Sequence, residues 1–237
     1  MIQTEGIFVG GSAISAPIIG EDFNWSGSDG TYQVLDDGGG NWRIKFLSSG
    51  TFTPLKNMVI DVFLVGGGGG AGSSYCGEGG AGYTTTVRSV VLTANTAYSI
   101  VVGAAGTNGN PSSAGGETTA FTASAAGGKN TSNGTSSSKR PGGAGGSGGA
   151  GYVSPVATTT GGTDGGDGTS SATTGGKGQG TTTREFGEAD GTLYASGGGS
   201  NLTATVSNSG NGGRNGITSI APADGIVVIR QHKEVAA

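Results

Sequence analysis

Few residues in this chain have the type and spacing that chemistry requires. Glu185, Glu188 and Asp190 surround Phe186. They are carboxylates of the kind a glycosidase pairs, but nothing in the local sequence sets them against one another. Asp164 and Asp167 stand three apart between Gly161 and Gly168. Calcium would take about six to eight oxygens, and the EF-type and nonapeptide patterns are missing. The two aspartates therefore read as loop carboxylates in water, with ion binding left open. Cys76, next to Tyr75, has no His near it in sequence and reads as a small buried or half-buried thiol. His232 lies in the polar tail after the last strand and reads as solvated. One Cys and one His exclude a disulfide framework and a Cys/His zinc cage. Gly128-Lys129 and Gly176-Lys177 are followed by Asn130 and Gly178, not Ser or Thr, which rejects a phosphate-binding loop. Gly-x-Gly-x-x-Gly patterns arise by chance here, and none opens a helix after a strand. Asn-x-Ser/Thr at Asn24, Asn130, Asn133 and Asn201 reads as ordinary polar loop. The expectation is a protein with no catalytic residues, no metal and no cofactor.

The elements that position these residues are governed by glycine, which supplies 54 of 237 residues. Charged residues make up 12%, the net charge is −4 and there are six prolines, a balance unlike disordered or collagenous chains. A weakly acidic chain is a poor nucleic-acid binder. The longest apolar run, Met58 to Val65, is far short of a membrane span of ~20 residues. The start, Met1 to Glu5, lacks the basic and apolar stretches of a signal peptide. The expected protein is soluble, without nucleic acid and without membrane insertion.

Strand signals frame the glycine. Thr31–Leu35 and Asn41–Phe46 flank Asp36-Asp37-Gly38-Gly39-Gly40, a hairpin signal. In the second arm Trp42, Ile44 and Phe46 fall on one face, Arg43 and Lys45 on the other. Met58–Val65 is apolar enough to be buried on both faces. Tyr83–Leu92, Ala97–Val102 and Gly225–Arg230 complete the set, and no segment has a helical apolar period. The chain divides into an N-terminal segment, 1–45, assigned to attachment or assembly, and a glycine-rich domain, 46–237. In the latter, strands at 46–65, 83–102 and 225–230 frame a glycine body over 66–216.

Glycine is costly to order and offers no side chain to a core, so its abundance makes sense where backbones approach closely. Gly142–Gly151 repeats Gly-Gly-small in threes, the period of an extended helix with three residues per turn. Such a rod makes no internal hydrogen bonds and must exchange them with neighbouring rods. Shorter clusters at 66–72, 77–82, 161–168, 175–180, 197–199 and 210–216 are further rods. The predicted fold is all-β, a jelly-roll-like β-sandwich base with a polyglycine-II bundle, exposed inter-rod loops and little or no α-helix.

Val62-Phe63-Leu64-Val65 running into Gly66–Gly70, then Gly79-Gly80-Ala81-Gly82-Tyr83, Ala97–Gly103 and the closing Gly225–Arg230 resemble the glycine-rich domain of tail fibres and tip adhesins of tailed bacteriophages. The resemblance covers roughly Gly50 to Arg230. It implies a sandwich base, a polyglycine-II bundle and loops that touch a bacterial surface receptor, an outer-membrane protein or a glycan. The implied location is the virion tail, made in the host cytoplasm, with other tail or fibre proteins as partners. A homotrimer and a single-chain tip both fit. Since rod interiors are glycine, discrimination must come from the spacers, and the receptor-contact candidates are Lys139, Arg140, Tyr152, Arg184, Phe186 and Tyr194. Packing beneath the loops is the competing reading for Tyr152, Phe186 and Tyr194. A purely structural tail component is the alternative function. An ice-binding or cell-surface bundle is disfavoured because Thr158–Thr160 and Thr181–Thr183 are runs, not spaced ranks.

Overall fold

Alternation of apolar and polar side chains folds the conventional parts of the chain into two antiparallel sheets. The computed structural model describes residues 22–27, 32–38, 40–133, 140–152, 159–169, 175–215 and 219–231. The strands are β1 (Phe23–Gly27), β2 (Tyr32–Gly38), β3 (Asn41–Phe46), β4 (Gly50–Pro54), β5 (Met58–Val65), β6 (Thr84–Leu92), β7 (Tyr98–Val101), β8 (Thr118–Ala120), β9 (Ala123–Ala125) and β10 (Ile226–Gln231). One sheet has the order β1-β4-β7-β8-β9, the other β2-β3-β10-β5-β6. Between them Phe23, Ile44, Phe46, Phe52, Ile60, Val62, Leu64, Val227 and Ile229 form the core. Among the described residues there is no α-helix, only a 3-10 turn at Glu185–Gly187.

β5 and β10 are buried on both faces, as the apolar run of β5 predicts. Their second set of side chains, Phe63, Val65, Ile226 and Val228, packs outside the sandwich against Phe186, Tyr194, Ala81 and Ala195. Asp61 shares that outer face. Opposite it, β6 carries a bulge, with Ile60 facing Val90 and Val62 facing Val87. The bulge lets Arg88 Nη1 and the Ser89 N–H both donate to the Asp61 carboxylate, at 3.1 and 3.2 Å.

Strand pairing extends the two sheets into the stretch 1–45. β1 lies along β4, and Phe23 and Trp25 pack into the core. β2 and β3 belong to the sheet that holds β10. β1, β2 and β3 are thus part of the sandwich, with Phe23 in its core and Trp25, Tyr32, Val34 and Trp42 packed against it. Residues 1–21 lie outside the described residues.

The glycine body is a laterally bonded bundle of extended rods. A rod with three residues per turn points one N–H and one C=O in each of three directions, giving about six neighbours. Segment 66–72 does this visibly. Gly66 and Gly69 donate to Tyr83 and Gly80; Gly67 and Gly70 donate to Gly116 and Ser113; Gly68 donates to Ala223. Its carbonyls at Gly67 and Gly70 accept from Gly128 and Thr131, those at Gly68 and Ala71 from Gly106 and Gly109, and that at Gly69 from Gly213. All these bonds span 2.8–3.1 Å, and four of the six partner segments recur at a spacing of three residues. Segments 77–83 and 147–151 are enclosed in the same way. The Gly142–Gly151 run is not one rod, however. It bends at 145–147, so that 142–146 runs parallel to 78–81 and 147–150 antiparallel to it.

Rods 66–72, 103–109 and 126–131 leave β5, β7 and β9 and run side by side away from the sandwich, while 77–83 and 113–116 return into β6 and β8. At ~3.1 Å per residue, the far end stands ~20 Å beyond the strand ends. The bundle therefore has a near end on the sheets and a far end made of turns.

Candidate functional site

The receptor-contact residues expected from sequence do not form one surface. Lys139 lies outside the described residues. Arg140 and Tyr152 sit at the far end, their backbones joined by a hydrogen bond from the Tyr152 N–H to the Arg140 carbonyl at 2.9 Å. Arg184, Phe186 and Tyr194 sit at the near end, against the outer face of the β5–β10 sheet.

At the near end, Phe186 and Tyr194 are 2% and 7% exposed and pack beneath their loop, the competing reading for these two residues. Phe63 and Val65 on β5 would otherwise face water, and these two rings cover them, centred 6.0 and 5.6 Å from Phe63. The Arg230 guanidinium lies 4.1 Å over the Phe186 ring. Arg184 donates to the Asp164 carboxylate at 3.3 Å and to the Gly191 carbonyl at 3.0 Å, and so ties its own loop together.

Charge fastens this loop to the sheet. Glu185, 1% exposed, accepts from Arg43 Nη1 at 2.6 Å and lies 3.4 Å from Lys45 Nζ. The Tyr194 hydroxyl accepts from Lys45 at 3.0 Å and donates to Glu185 at 3.3 Å. Burial pushes its ionisation up, so it remains a donor. Arg43 also pairs with Asp37, and Arg230 bridges Asp61 and Glu188. A groove of about 290 Å³ beside these groups is lined by Asp37, Arg43, Glu185, Glu188, Thr192 and Arg230. Structure thus positions Glu185 and Glu188, but as partners of cations that clamp the loop. Asp164 and Asp167 are braces of the same sort. Asp167 accepts from Lys177 and the Gly178 N–H, and Asp164 accepts from Thr182 and the Thr183 N–H; these bonds hold both carboxyls below the usual range.

The far end is built differently. Rods 66–72 and 77–83 are joined through Ser73, Ser74, Tyr75 and Cys76. Asn133 Oδ1 accepts from the Ser73 N–H at 2.7 Å, and its Nδ2 donates to Ser73 Oγ at 3.0 Å. Thr131 Oγ1 accepts from the Gly72 N–H and donates to the Gly77 carbonyl, spanning the mouth of the turn. Cys76 is buried, donates to the Gly72 carbonyl at 3.0 Å, and has its ionisation pushed up to about 11 by burial and then by Glu78. At neutral pH it is a packing thiol. Tyr75 is left outside, 44% exposed, at φ +48. Its ring meets Tyr152 edge to face, 5.7 Å between centroids and 86° between planes. Sequence reasoning passed over Tyr75. The available signal was a bulky residue in a short break between two glycine rods.

Behind this turn Asn108 clamps a second one. Its Oδ1 accepts from the Ala71 N–H, and its Nδ2 donates to the carbonyls of Arg214 and Ile220. Beside it, burial raises the Glu78 carboxyl to about 7, against the hydrogen bond from the Asn215 N–H and the charge of Arg214.

Among known families, residues 47–230 match the one described as a glycine-rich domain. No curated protein matches the chain.

Proposed function

The chain belongs to the glycine-rich domain family, and on that premise we propose that it is a tail fibre or tip adhesin of a bacteriophage, recognising a host-surface receptor without catalysis. The observation that carries this reading is the division of labour along the molecule. Interior rods meet one another chiefly through backbone, whereas the far end presents Tyr75 on a turn fixed by buried hydrogen bonds, with Tyr152 and Arg140 beside it. Loops held by a rigid scaffold are where recognition resides. The receptor surface is accordingly the far end, and the 184–194 loop is scaffold.

A structural role in the tail is the second reading, favoured by the opposite pole. Val59 and Val91 are cross-strand partners, 40% and 70% exposed, near Leu55 at the sandwich end away from the bundle. An apolar patch there suits docking onto another tail protein. One experiment separates the two readings: purified protein is added to intact host cells and then challenged with phage. Saturable binding that blocks adsorption is the expected result. A protein that assembles into virions but neither binds cells nor blocks adsorption would refute the adhesin and leave the structural part.

A further inference from the structure

We propose that Tyr75, Tyr152 and Arg140 form a binding site for an anionic sugar, a pyranose carrying a carboxylate or phosphate. The proposal rests on the far end being the receptor surface, and it names the chemistry recognised there.

A bulky residue at φ +48, as at Tyr75, is uncommon and persists only where its surroundings hold it. Here the Asn133, Thr131 and Cys76 bonds hold the backbone on both sides of it. That rigid support holds an aromatic ring at the surface, 44% exposed, with its edge contact to Tyr152. Of the large apolar side chains exposed among the described residues, Tyr75 alone is at the far end; the others lie on the sheets or in the 193 and 206 loops. Among the described residues, an aliphatic peptide therefore finds no cluster of exposed apolar side chains there. A pyranose has one face of C–H groups and a rim of hydroxyls. The perpendicular tyrosines form a corner that takes such a face, and Ser73, Ser74 and Asn133 beside it supply donors and acceptors for the rim.

Arg140 adds the charge preference. Its backbone is fixed beside Tyr152, and its Nε is buried with no hydrogen-bond partner. A guanidinium is always charged, and an unmatched donor on it is unfavourable. Nε itself is enclosed, so a carboxylate or phosphate meets the guanidinium at its two terminal nitrogens, whose fork its oxygens fit.

The test measures the full chain against three probes by titration calorimetry: trigalacturonate, mannose 6-phosphate and neutral maltotriose. At least one anionic probe should bind 10-fold or more tightly than maltotriose, and which one it is separates carboxylate from phosphate recognition. Arg140→Gln should remove that preference without lowering the melting temperature. Tyr75→Phe should bind as wild type, while Tyr152→Ala should lose 10-fold or more for every probe. Equal affinity for charged and neutral probes, no binding to any, or an unchanged preference in Arg140→Gln would overturn the site. Cell binding is measured on the same variants. Cells bound equally by wild type and Arg140→Gln would reject the sugar site and keep the adhesin. Anionic-sugar binding without cell binding would do the reverse.

Discussion

Gly148→Ala tests the bundle at its most crowded point. Gly148 lies in an enclosed rod, and a Cβ on it would overlap the Gly176 carbonyl and stand 2.9 Å from the Gly168 nitrogen. Both are backbone atoms, so no side chain can swing away. The rods must part, and four bonds meet there: Gly148 to Gly166, Gly162 to Gly148, Gly168 to Gly176 and Gly176 to Gly149, all 2.8–3.0 Å. Each buried group left unpaired costs ~1–3 kcal/mol, so losing two or three comes to ~3–6 kcal/mol after partial relaxation. A domain of this size loses ~2–4 °C per kcal/mol, so the melting temperature should fall by ~6–24 °C. The control is Gly180→Asn. Gly180 has φ +77 and nothing within 4 Å of a Cβ, and Asn tolerates that conformation. Melting is followed by far-ultraviolet circular dichroism on both variants. A Gly148→Ala transition within ~2 °C of wild type, or no lower than that of Gly180→Asn, would refute direct backbone contact between rods.

Glu185→Ala leaves Arg43 and Lys45 facing a buried site without their carboxylate; it should destabilise by ~3 kcal/mol and expose the 184–194 loop to limited proteolysis, whereas unchanged cleavage would mean the clamp is not what holds the loop. The Glu78 carboxyl is raised to about 7 in the folded chain, so the native state binds the extra proton between the ordinary carboxylate range and pH 7. Stability must then fall as pH rises through that window, by at most ~3 kcal/mol, and Glu78→Gln should flatten the loss; a melting temperature independent of pH from 5 to 8 in the wild type would contradict it.

Much of the sandwich was legible because its strands carry strong local patterns. The β2–β3 hairpin has alternating side chains and a glycine-rich loop, and β5 and β10 are continuously apolar. β1 was missed, since its two aromatics stand among Asn, Ser and Gly, and so were β8 and β9, three-residue Thr/Ala/Ser strands. Rods at 103–109, 113–116 and 126–131 escaped notice because Ala, Ser and Thr stand in them where neighbours leave room. The bend at 145–147 gave no warning, for glycine turns anywhere without a marker residue. Phe186 and Tyr194 were placed outside on account of their polar neighbours. The contrary signal lay elsewhere, in the outward side chains of β5 and β10, which required a cover that no third sheet supplies.

The recurrence of bonding partners every third residue has a consequence for how such a chain changes over generations. Adding one residue inside 66–72 would turn every later N–H by a third of a revolution and hand its bond to a different neighbour. Adding three would restore the pairing with the rod merely longer. Length changes inside the bundle are thus quantised in triplets and have to be matched by adjoining rods. The turns that cap it obey no such arithmetic. Variation is channelled to one pole of the molecule by a reading frame written in its backbone.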